Sequence, residues 1–436
     1  MNYVTVINII FLIIGTLFSI YLFHFVVFAI SGLVHKKRYP KVEEKCRYGI
    51  IVSAKDEENV IGRLINSIRD ADYPQDKLDV FVIAHNCKDK TGEIAQSLGA
   101  IVIVDNNKEE NTLGQAYHYA FKHIENISSY DGFIFFNADN TVSKDYFDKL
   151  NDAFVYYDKK DAISTFRSSL NANDGILPAV YGYYFGASCS LAFSGRNNLN
   201  VSGRVTGCGF VVPSYQLING WNFTSITEDI EYSANTVLNG KKIRFCYDAT
   251  FYDEQPNSVK TMWFQRLRWA KGQHIISKRY FPKLFSALFS RKHKNKLTLF
   301  VTMSFHSYIV VVTTFIAILQ IVALLLSPLF NVSLYDAFLF WNANESWFHN
   351  MFYSLNTGYL FSYAKAVVLF IVYSYITALF VLISAHEKFK DYRLSKKIFG
   401  FLFFPLFLAL QFPLDIVGLF KKEVKWEKIP HGTSKK

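Results

Sequence analysis

The sequence lacks the signatures of several common enzyme classes. It has no GxxxxGK[ST] loop and no GxGxxG motif after a strand, so a glycine-rich loop is not expected to bind phosphate. Its five cysteines show no CxxC or other paired spacing, which argues against a zinc site or a disulfide framework. Ser, His and Asp occur, but not in the spacing of a nucleophile elbow, so no hydrolase triad is predicted.

Charge is missing from the start of the chain. Residues 4–34 contain no Lys, Arg, Asp or Glu. A bilayer-spanning helix needs about 20 apolar residues, so this run is long enough. A cleaved signal peptide would show a basic start and a small-residue cleavage site, which this run does not have. We therefore expect residues 1–34 to form a retained transmembrane anchor.

Three more apolar stretches lie near the C-terminus, at about 298–330, 359–384 and 398–420. The last contains two prolines and an aspartate, which are costly in a membrane-spanning helix. We expect it to be broken, re-entrant or interfacial, so that 298–420 forms two spans plus this segment. Residues 275–297 mix Phe and Leu with Lys and Arg, which predicts an amphipathic interface helix.

The net charge of +11 is concentrated beside these apolar runs. Basic flanks mark the cytoplasmic side of a membrane, which places residues 35–274 and the basic tail 421–436 in the cytoplasm. Nucleic-acid binding would need basic residues spread over a soluble face, so no nucleic-acid partner is expected. The abundance of Asn, Lys, Ile, Phe and Tyr favours a bacterial source, and hence the plasma membrane.

The middle of the chain alternates between strand and helix patterns. Short, buried, β-branched or aromatic runs at 48–54, 80–84, 101–104 and 132–136 predict strands, and helical spacing at 60–68, up to Ala95 and at 114–124 predicts helices between them. This order predicts a doubly wound α/β sheet. Ligands bind at the carboxyl ends of such strands, so the loops at 53–58, 85–89 and 137–140 should line one site.

One strand end has the chemistry of a metal site. Asn137 and Asp139 offer an amide and a carboxylate oxygen, which suit Mg²⁺ or Mn²⁺ bridging a diphosphate. Asn and Asp are also common turn residues, so the motif alone is a weak signal.

Two further motifs follow along the chain. Thr227-Glu228-Asp229 precedes a helical pattern, and either caps that helix or supplies Asp229 as a general base. Gln265, Arg268 and Trp269 share one helical face, which either lies at the membrane or binds a leaving diphosphate and a sugar ring.

The order of these motifs resembles the membrane-embedded family 2 glycosyltransferases, similar to cellulose, hyaluronan and bacterial capsular or exopolysaccharide synthases. AHNCKDKTGEIA (84–95) looks like their nucleotide loop, NADN (137–140) like their DxD motif, and QRLRW (265–269) matches QxxRW. TED (227–229) matches their general-base motif. The resemblance covers about 48–275 and implies a GT-A-like domain between transmembrane helices, with amphipathic interface helices.

The resemblance also implies roles for individual residues. Asp139 would bind the Mg²⁺ or Mn²⁺ ion, and Asp229 would be the catalytic base, with Glu228 and Thr227 beside it. The nucleotide-sugar would be bound by Ala54, Asp56, Glu57, His85, Asp89, Asn137 and Asp139. The acceptor and the pyrophosphate would be bound by Gly207, Cys208, Gly209, Gln265, Arg268 and Trp269.

The match departs from the family at three positions. The family usually has Asp where this chain has His85 and Asn137, and commonly Lys where it has Leu113. Asn137 can still ligate or donate a hydrogen bond. His85 replaces the carboxylate that would read the nucleoside, which suggests a different nucleotide or sensitivity to pH near neutrality.

The function implied by the resemblance is an inverting, processive transferase. It would polymerise sugar from a UDP-sugar into a β-linked polysaccharide and export the growing glycan through the bilayer. The alternative is a non-processive enzyme that adds one sugar to a lipid or lipid-linked acceptor. A catalytically inactive scaffold or transporter is a third class, disfavoured by the intact Asp139, Asp229 and Arg268.

Overall fold

An eight-stranded mixed sheet lies at the centre of the protein. The computed structural model describes residues 23–107, 112–303 and 360–422. The strands run in the order β3-β2-β1-β4-β7-β6-β8-β5. Their bounds are β1 Tyr48–Ala54, β2 Leu78–His85, β3 Ile101–Asp105, β4 Gly132–Asn137, β5 Asn140–Val142, β6 Ala162–Ser169, β7 Phe210–Pro213 and β8 Ile243–Asp253.

Helices cover both faces of this sheet and extend beyond it. The early helices are α1 Phe23–Val34, α2 Ile61–Arg69, α3 Thr91–Ser97, α4 Leu113–His123, α5 Tyr146–Tyr156, α6 Ile176–Gly186 and α7 Ser194–Asn198. The later ones are α8 Glu228–Leu238, α9 Val259–Phe289, α10 Lys296–Thr302, α11 Leu360–Ser384, α12 Leu394–Ala409 and α13 Gln411–Phe420.

The predicted doubly wound sheet is confirmed in its first half. Strands β3, β2, β1 and β4 are parallel, because each is an apolar run that helices cover on both sides. Side chains of α2, α3 and α5 pack on one face, and side chains of α4 and α8 pack on the other. The second half is mixed, since β7 is antiparallel to both β4 and β6 and β5 is antiparallel to β8.

The apolar helix at Ile176–Asn198 was not predicted. It consists of α6, a π-helical turn at Ala187–Phe193, and α7, and it has the length and hydropathy of a membrane span. Glycines let other helices pack closely against it. A Cβ on Gly186 would lie 2.6 Å from Val381 Cγ1 of α11, and one on Gly195 would overlap the Phe28 carbonyl of α1. This helix therefore joins the sheet domain to the flanking helices.

Three helices in the described ranges could cross a membrane by length and composition: Ile176–Asn198, Val367–Ser384 and Leu394–Phe420. The second coincides with the predicted span 359–384. The third is the segment predicted to be broken, and it divides at Leu410 into α12 and α13. The predicted span 298–330 beyond Met303, the first 22 residues of the anchor, and the tail from residue 423 lie outside the described residues. The predicted interface helix is the second half of the 31-residue α9, followed by a short loop and α10.

Candidate active site

A large cavity begins at the carboxyl ends of the parallel strands and extends to the C-terminal helices. Its volume is about 1530 Å³. Most of the predicted site residues line it: Ala54, Glu57, His85, Asn137, Asp139, Gly207, Thr227, Glu228, Asp229, Gln265, Arg268 and Trp269. The residues at the strand ends and those of the two later motifs therefore line the same cavity.

Two predicted nucleotide ligands, Asp56 and Asp89, are not among the described residues that line this cavity. Their carboxylates accept backbone N–H groups, Asp56 from Lys88 at 2.6 Å and Asp89 from Glu58 at 3.1 Å. Each side chain therefore connects the loops after β1 and β2. Their role as nucleotide ligands stays a prediction.

Asp56, Cys87 and Asp89 form a cluster whose potential ligand atoms lie within 4.8 Å of one another. Burial raises the pKa of the Cys87 thiol, which keeps it protonated, and its Sγ donates to the Ala54 carbonyl at 3.4 Å. A protonated thiol is a poor ligand for Mg²⁺ or Mn²⁺, which prefer oxygen. We assign this cluster to loop structure.

His85 is held by a carboxylate from the neighbouring strand. The parallel register of β2 and β3 pairs His85 with Asp105, and the His85 Nδ1 lies 2.8 Å from an Asp105 carboxylate oxygen. Asp105 is fully buried. Although His85 replaces the family's usual Asp, a carboxylate is thus still present behind it, and it fixes the orientation of the imidazole ring.

Asp139 lies in a group of buried carboxylates that includes Asp253 and Glu254. Asn140 Nδ2 donates to Asp139 at 3.2 Å and to Asp253 at 2.6 Å. Arg167 Nε donates to Asp253 at 3.0 Å, and Arg63 donates to Glu254 at 2.8 Å. Burial, followed by repulsion from Asp253, raises the pKa of Asp139 well above its usual value.

These oxygen donors fit a divalent cation. A bound cation would offset the repulsion that raises the pKa of Asp139, and oxygen ligands suit Mg²⁺ and Mn²⁺. Asn137, at the end of β4, also lines the cavity and offers an amide oxygen on the same side. The metal role predicted for Asp139 is therefore chemically reasonable here, with Asp253 and Glu254 as neighbouring carboxylates to which the motif analysis gave no role.

Asp229 and Glu228 begin helix α8. Burial raises the pKa of both carboxyls, and the two groups lie close enough to influence each other. Arg204 and Arg268 partly oppose the shift at Asp229. A buried carboxylate with a raised pKa is the kind of group that accepts a proton from a hydroxyl near neutral pH.

Thr227 does not cap this helix through its side chain. It occupies the N-cap position, but its hydroxyl accepts no hydrogen bond from the helix. Instead it packs against Gly272 of α9, where an added Cβ would overlap both the Thr227 Cγ2 and Oγ1 atoms. Thr227 therefore holds the N-cap position, with acids in the first turn, but without the side-chain hydrogen bond of a capping residue. Gly272, which packs against it, is a residue that the sequence analysis missed.

The QRLRW segment forms part of α9, as predicted. Gln265 accepts a hydrogen bond of 2.7 Å from the Tyr181 hydroxyl, and the Trp269 ring meets the Tyr181 ring edge-on at 6.5 Å. Arg268 donates to the Ile226 carbonyl at 3.3 Å, just before the Thr227-Glu228-Asp229 motif. The two motifs are therefore neighbours, and Arg268 interacts electrostatically with Glu228 and Asp229.

The neighbouring Arg266 faces the other way. It is buried, and it donates to the Phe407 carbonyl of α12 at 2.7 Å and to Gln411 of α13 at 2.9 Å. Gln411 in turn donates to Asp415 at 2.8 Å. One helix therefore presents Arg268 to the acids and Arg266 to the C-terminal helices.

The predicted acceptor loop at Gly207–Gly209 has two glycines with positive φ, +74° at Gly207 and +65° at Gly209. A Cβ on Gly207 would meet nothing within 4 Å, so there is open space above this residue in the cavity. A Cβ on Gly209 would overlap the Phe251 ring, and Cys208 is buried. Gly207 thus faces the cavity, whereas Gly209 fixes the loop against β8.

Sequence reasoning missed Arg167 and Arg204, which also line the cavity. Each is an isolated arginine in an apolar or small-residue segment, with no motif around it. Asp253 and Glu254, in the Asp-Glu-Gln-Pro segment between the last two motifs, lie at the end of β8, but the sequence reasoning gave them no role.

Comparison with known proteins identifies the sheet domain. Residues 46–272, more than half of the chain, match the family described as "Glycosyltransferase like family 2". The probable glycosyltransferase YdaM of Bacillus subtilis (strain 168) is 24% identical over 265 residues, which cover 57% of this chain and 59% of that protein.

Two further relatives carry a more specific name. The beta-monoglucosyldiacylglycerol synthases of Trichormus variabilis and Synechocystis sp. are each 25% identical over 51% of this chain, and the match covers 48% and 47% of their lengths. This chain therefore spans about half the length of the curated relatives that it matches.

A solved structure shares the fold. The mannosyltransferase PcManGT from Pyrobaculum calidifontis, determined in complex with GDP-Man and Mn²⁺, aligns with a TM-score of 0.56 and 15% identity. The alignment covers 86% of this chain and 96% of that one. The sheet, the convergent motifs and the family match agree: this chain belongs to the glycosyltransferase-like family 2 and contains a GT-A-like α/β domain.

Proposed function

We propose that this protein is an inverting, metal-dependent glycosyltransferase that moves a sugar from a nucleotide-sugar to a hydroxyl group of a lipid acceptor at the plasma membrane. One observation carries the proposal. The same cavity is lined by strand-end carboxylates, by Asp229, and by apolar side chains of the C-terminal helices. A hydrophilic donor and an amphipathic acceptor can therefore meet at Asp229.

The donor end suits a nucleoside diphosphate sugar, with a UDP-sugar as the first candidate. Asp139 and Asn137 would hold the Mg²⁺ or Mn²⁺ ion, which supplies positive charge against the diphosphate. Arg268 adds a second positive charge, next to the catalytic acids. The structurally similar mannosyltransferase binds GDP-Man and Mn²⁺, which supports a donor and a metal of this type.

The reaction would be a single displacement. The acceptor hydroxyl oxygen forms a bond to the anomeric carbon, and its proton passes to the Asp229 carboxylate. The bond from that carbon to the diphosphate oxygen breaks, and the nucleoside diphosphate leaves with the electron pair. Attack opposite to the leaving group inverts the anomeric configuration. Burial of Asp229 raises its pKa and so makes it a stronger base than an exposed aspartate.

A lipid acceptor is favoured by the lining of the far end of the cavity. Phe281, Leu284, Phe370, Phe404, Leu408 and Phe412 contribute to it. Hydrocarbon chains bury well against such side chains, whereas a hydrated glycan gains little there. Two relatives are named as synthases of a glucosylated diacylglycerol, which agrees with a lipid acceptor.

Processive synthesis of an exported glycan is the second candidate. The aromatic pair of Trp269 and Tyr181 beside Gln265 offers flat surfaces on which a sugar of a growing chain could stack. The basic flanks of the apolar segments favour a cytoplasmic catalytic domain for either product.

Product analysis separates the two candidates. The full-length protein in nanodiscs is supplied with each radiolabelled UDP-sugar in turn, with Mn²⁺ or Mg²⁺. We expect label in an organic-soluble lipid carrying one sugar, and none in the Asp229→Asn variant. A water-soluble or retained polymer would replace the lipid proposal by the processive one. Transfer that continues at the same rate with a chelator present would overturn the metal dependence.

A further inference from the structure

We propose that the lipid acceptor is anionic. It would be a phospholipid whose headgroup carries both a phosphodiester and a free hydroxyl, and Arg204 would bind the phosphate. This inference rests on the proposed transfer to lipid and names the class of acceptor. It starts from the position of Arg204, which no motif marks.

Arg204 belongs to a loop that is fixed on two sides. The Ser202 backbone N–H donates to the Thr298 hydroxyl of α10 at 3.2 Å, and the Val205 N–H donates to the Ser233 hydroxyl of α8 at 3.1 Å. Ser233 donates in turn to the Asp229 carbonyl at 2.7 Å. Arg204 is therefore held between the helix of the catalytic base and α10.

The guanidinium of Arg204 makes no hydrogen bond or ion pair with any residue in the described part of the chain. Its ring contact is with Phe193, whose centroid lies 5.9 Å from the Arg204 Cζ atom. The side chain is half-buried and lines the cavity. A cation left unpaired in a largely apolar space favours an anionic ligand, because burial of an unpaired charge is costly.

The charges around Arg204 come from three helices. Arg204 and Arg268 of α9 both interact electrostatically with Asp229 of α8, and Arg196 of α7 lines the same cavity. Near α7 and α10, the charged side chains that line the cavity close to Asp229 are therefore the arginines Arg196 and Arg204. A phosphate placed there would lie next to the base without competing with the carboxylates at the donor end.

The wall beyond Arg204 suits acyl chains. Phe193, which contacts Arg204, lines the cavity together with Phe25 of α1, Phe281 of α9 and Val301 of α10. Hydrocarbon packed against these groups would leave a headgroup beside Arg204 and its hydroxyl beside Asp229. A neutral diacylglycerol would satisfy the apolar wall but leave Arg204 without a partner.

The proposed general base indicates that the attacking group of the lipid is a hydroxyl. A lipid phosphate that attacked through its own oxygen would already be deprotonated and would need no general base. Asp229 is placed to remove a proton, so the attacking group is an alcohol. The anion and the nucleophile are therefore two different groups of one headgroup.

The test compares lipids that separate these two features. Dioleoyl phosphatidylglycerol has phosphate and hydroxyl, dioleoylglycerol has only the hydroxyl, and dioleoyl phosphatidylethanol has only the phosphate. Each is added at equal mole fraction to micelles of a neutral detergent with the full-length protein and the donor that gives product. The variants are Arg204→Gln, Arg204→Lys and, as a control far from the cavity, the exposed Arg69→Gln.

We expect the wild type to glycosylate phosphatidylglycerol with a KM at least tenfold below that for dioleoylglycerol, and phosphatidylethanol to inhibit competitively. Arg204→Gln should raise the KM for phosphatidylglycerol about tenfold and abolish the inhibition. Arg204→Lys should show a smaller rise in KM and keep part of the inhibition by phosphatidylethanol. Arg69→Gln should match the wild type. The dissociation constant of UDP with Mn²⁺ should stay within about twofold in all variants.

Equal or better use of dioleoylglycerol by the wild type would overturn this inference while leaving lipid glycosylation intact. A loss of UDP affinity in Arg204→Gln as large as the rise in KM would also overturn it, because Arg204 would then bind the donor. Sugar incorporated only into polymer would overturn the lipid proposal itself, together with this inference.

Discussion

The two ends of the cavity are built in different ways. At the donor end, short acidic and amide side chains project from the ends of strands, and Asp139, Asp253 and Glu254 each accept a hydrogen bond from an arginine or asparagine. At the far end, side chains come mostly from helices α9 to α13, and the buried Arg266 connects α9 to α12 and α13 by hydrogen bonds. The donor end is fixed by backbone register, whereas the far end depends on how helices pack.

This difference has a consequence for mutations. A change at the donor end should alter chemistry and leave stability almost untouched. A change at the far end should alter stability or position first, and activity as a result. Glu228 and Asp229, the proposed catalytic acids, lie where the two ends meet, so they allow the comparison to be tested.

The largest effect is expected for Asp229→Asn. The variant keeps the shape of the side chain but cannot accept the proton, so kcat should fall by about 10³-fold. The melting temperature should stay within about 2 °C or rise slightly, because a buried carboxyl with a raised pKa no longer has to be accommodated. The exposed Asp174→Asn serves as the control. Full activity in Asp229→Asn would show that the base lies elsewhere.

The second-largest effect on activity is expected for Gly272→Ala, where the donor end and the far end of the cavity meet. The new Cβ would overlap Thr227, so α9 must shift away from the catalytic motif, at a cost of about 1–3 kcal/mol. We expect kcat to fall more than tenfold, because Arg268 moves with the helix. Gly62→Ala is the matched control, since its Cβ would lie 3.5 Å from Leu98, an ordinary contact. Unchanged activity in Gly272→Ala would show that α9 can move without affecting the acids.

A third test concerns stability at the far end. Arg266→Met removes the donor for the Phe407 carbonyl and for Gln411, and should lower the free energy of unfolding by roughly 2 kcal/mol. The affinity for UDP with Mn²⁺ should not change. Thermal melting in detergent and nucleotide titration measure the two quantities. A loss of nucleotide affinity without a loss of stability would contradict the separation of the two ends.

The smallest effect is in the pH profile. Burial raises the pKa of Asp229, and the base must be ionised, so activity is present above that raised pKa and is lost as pH falls through it. The acid limb of kcat should therefore lie above the usual range of an aspartate. The measurement needs saturating donor and metal, because the pKa of Asp139 is also raised. An acid limb at the ordinary position would mean that Asp229 is solvated during turnover.

The sequence predicted the donor end better than the far end. Strands β1 to β4 were placed within two residues of their bounds, because buried parallel strands are uninterrupted apolar runs. The strand-end rule predicted that the loop with Asn137 and Asp139 lines the site, and the family resemblance added Asp229. Both kinds of signal lie within a few consecutive residues, which is why the sequence alone reveals them.

The residues that were missed depend on contacts between distant segments. Gly272 matters because Thr227, 45 positions earlier by the printed numbering, lies against it. Arg204 matters because its loop is held by α8 and α10, and Arg167 because β6 lies beside β8 in the sheet. The antiparallel strand β7 has only four residues, too few for an alternating pattern to show.

The helix at Ile176–Asn198 bears on any attempt to separate the catalytic domain from the rest of the chain. About two-thirds of the residues in its most apolar stretch are buried, and side chains of α11 and α12 cover part of them. A fragment that ends before Leu360 would expose that face to water, although the fragment contains every strand of the sheet. We expect this fragment to aggregate unless detergent or a fused helix covers the exposed face. The whole chain is therefore the better unit for purification.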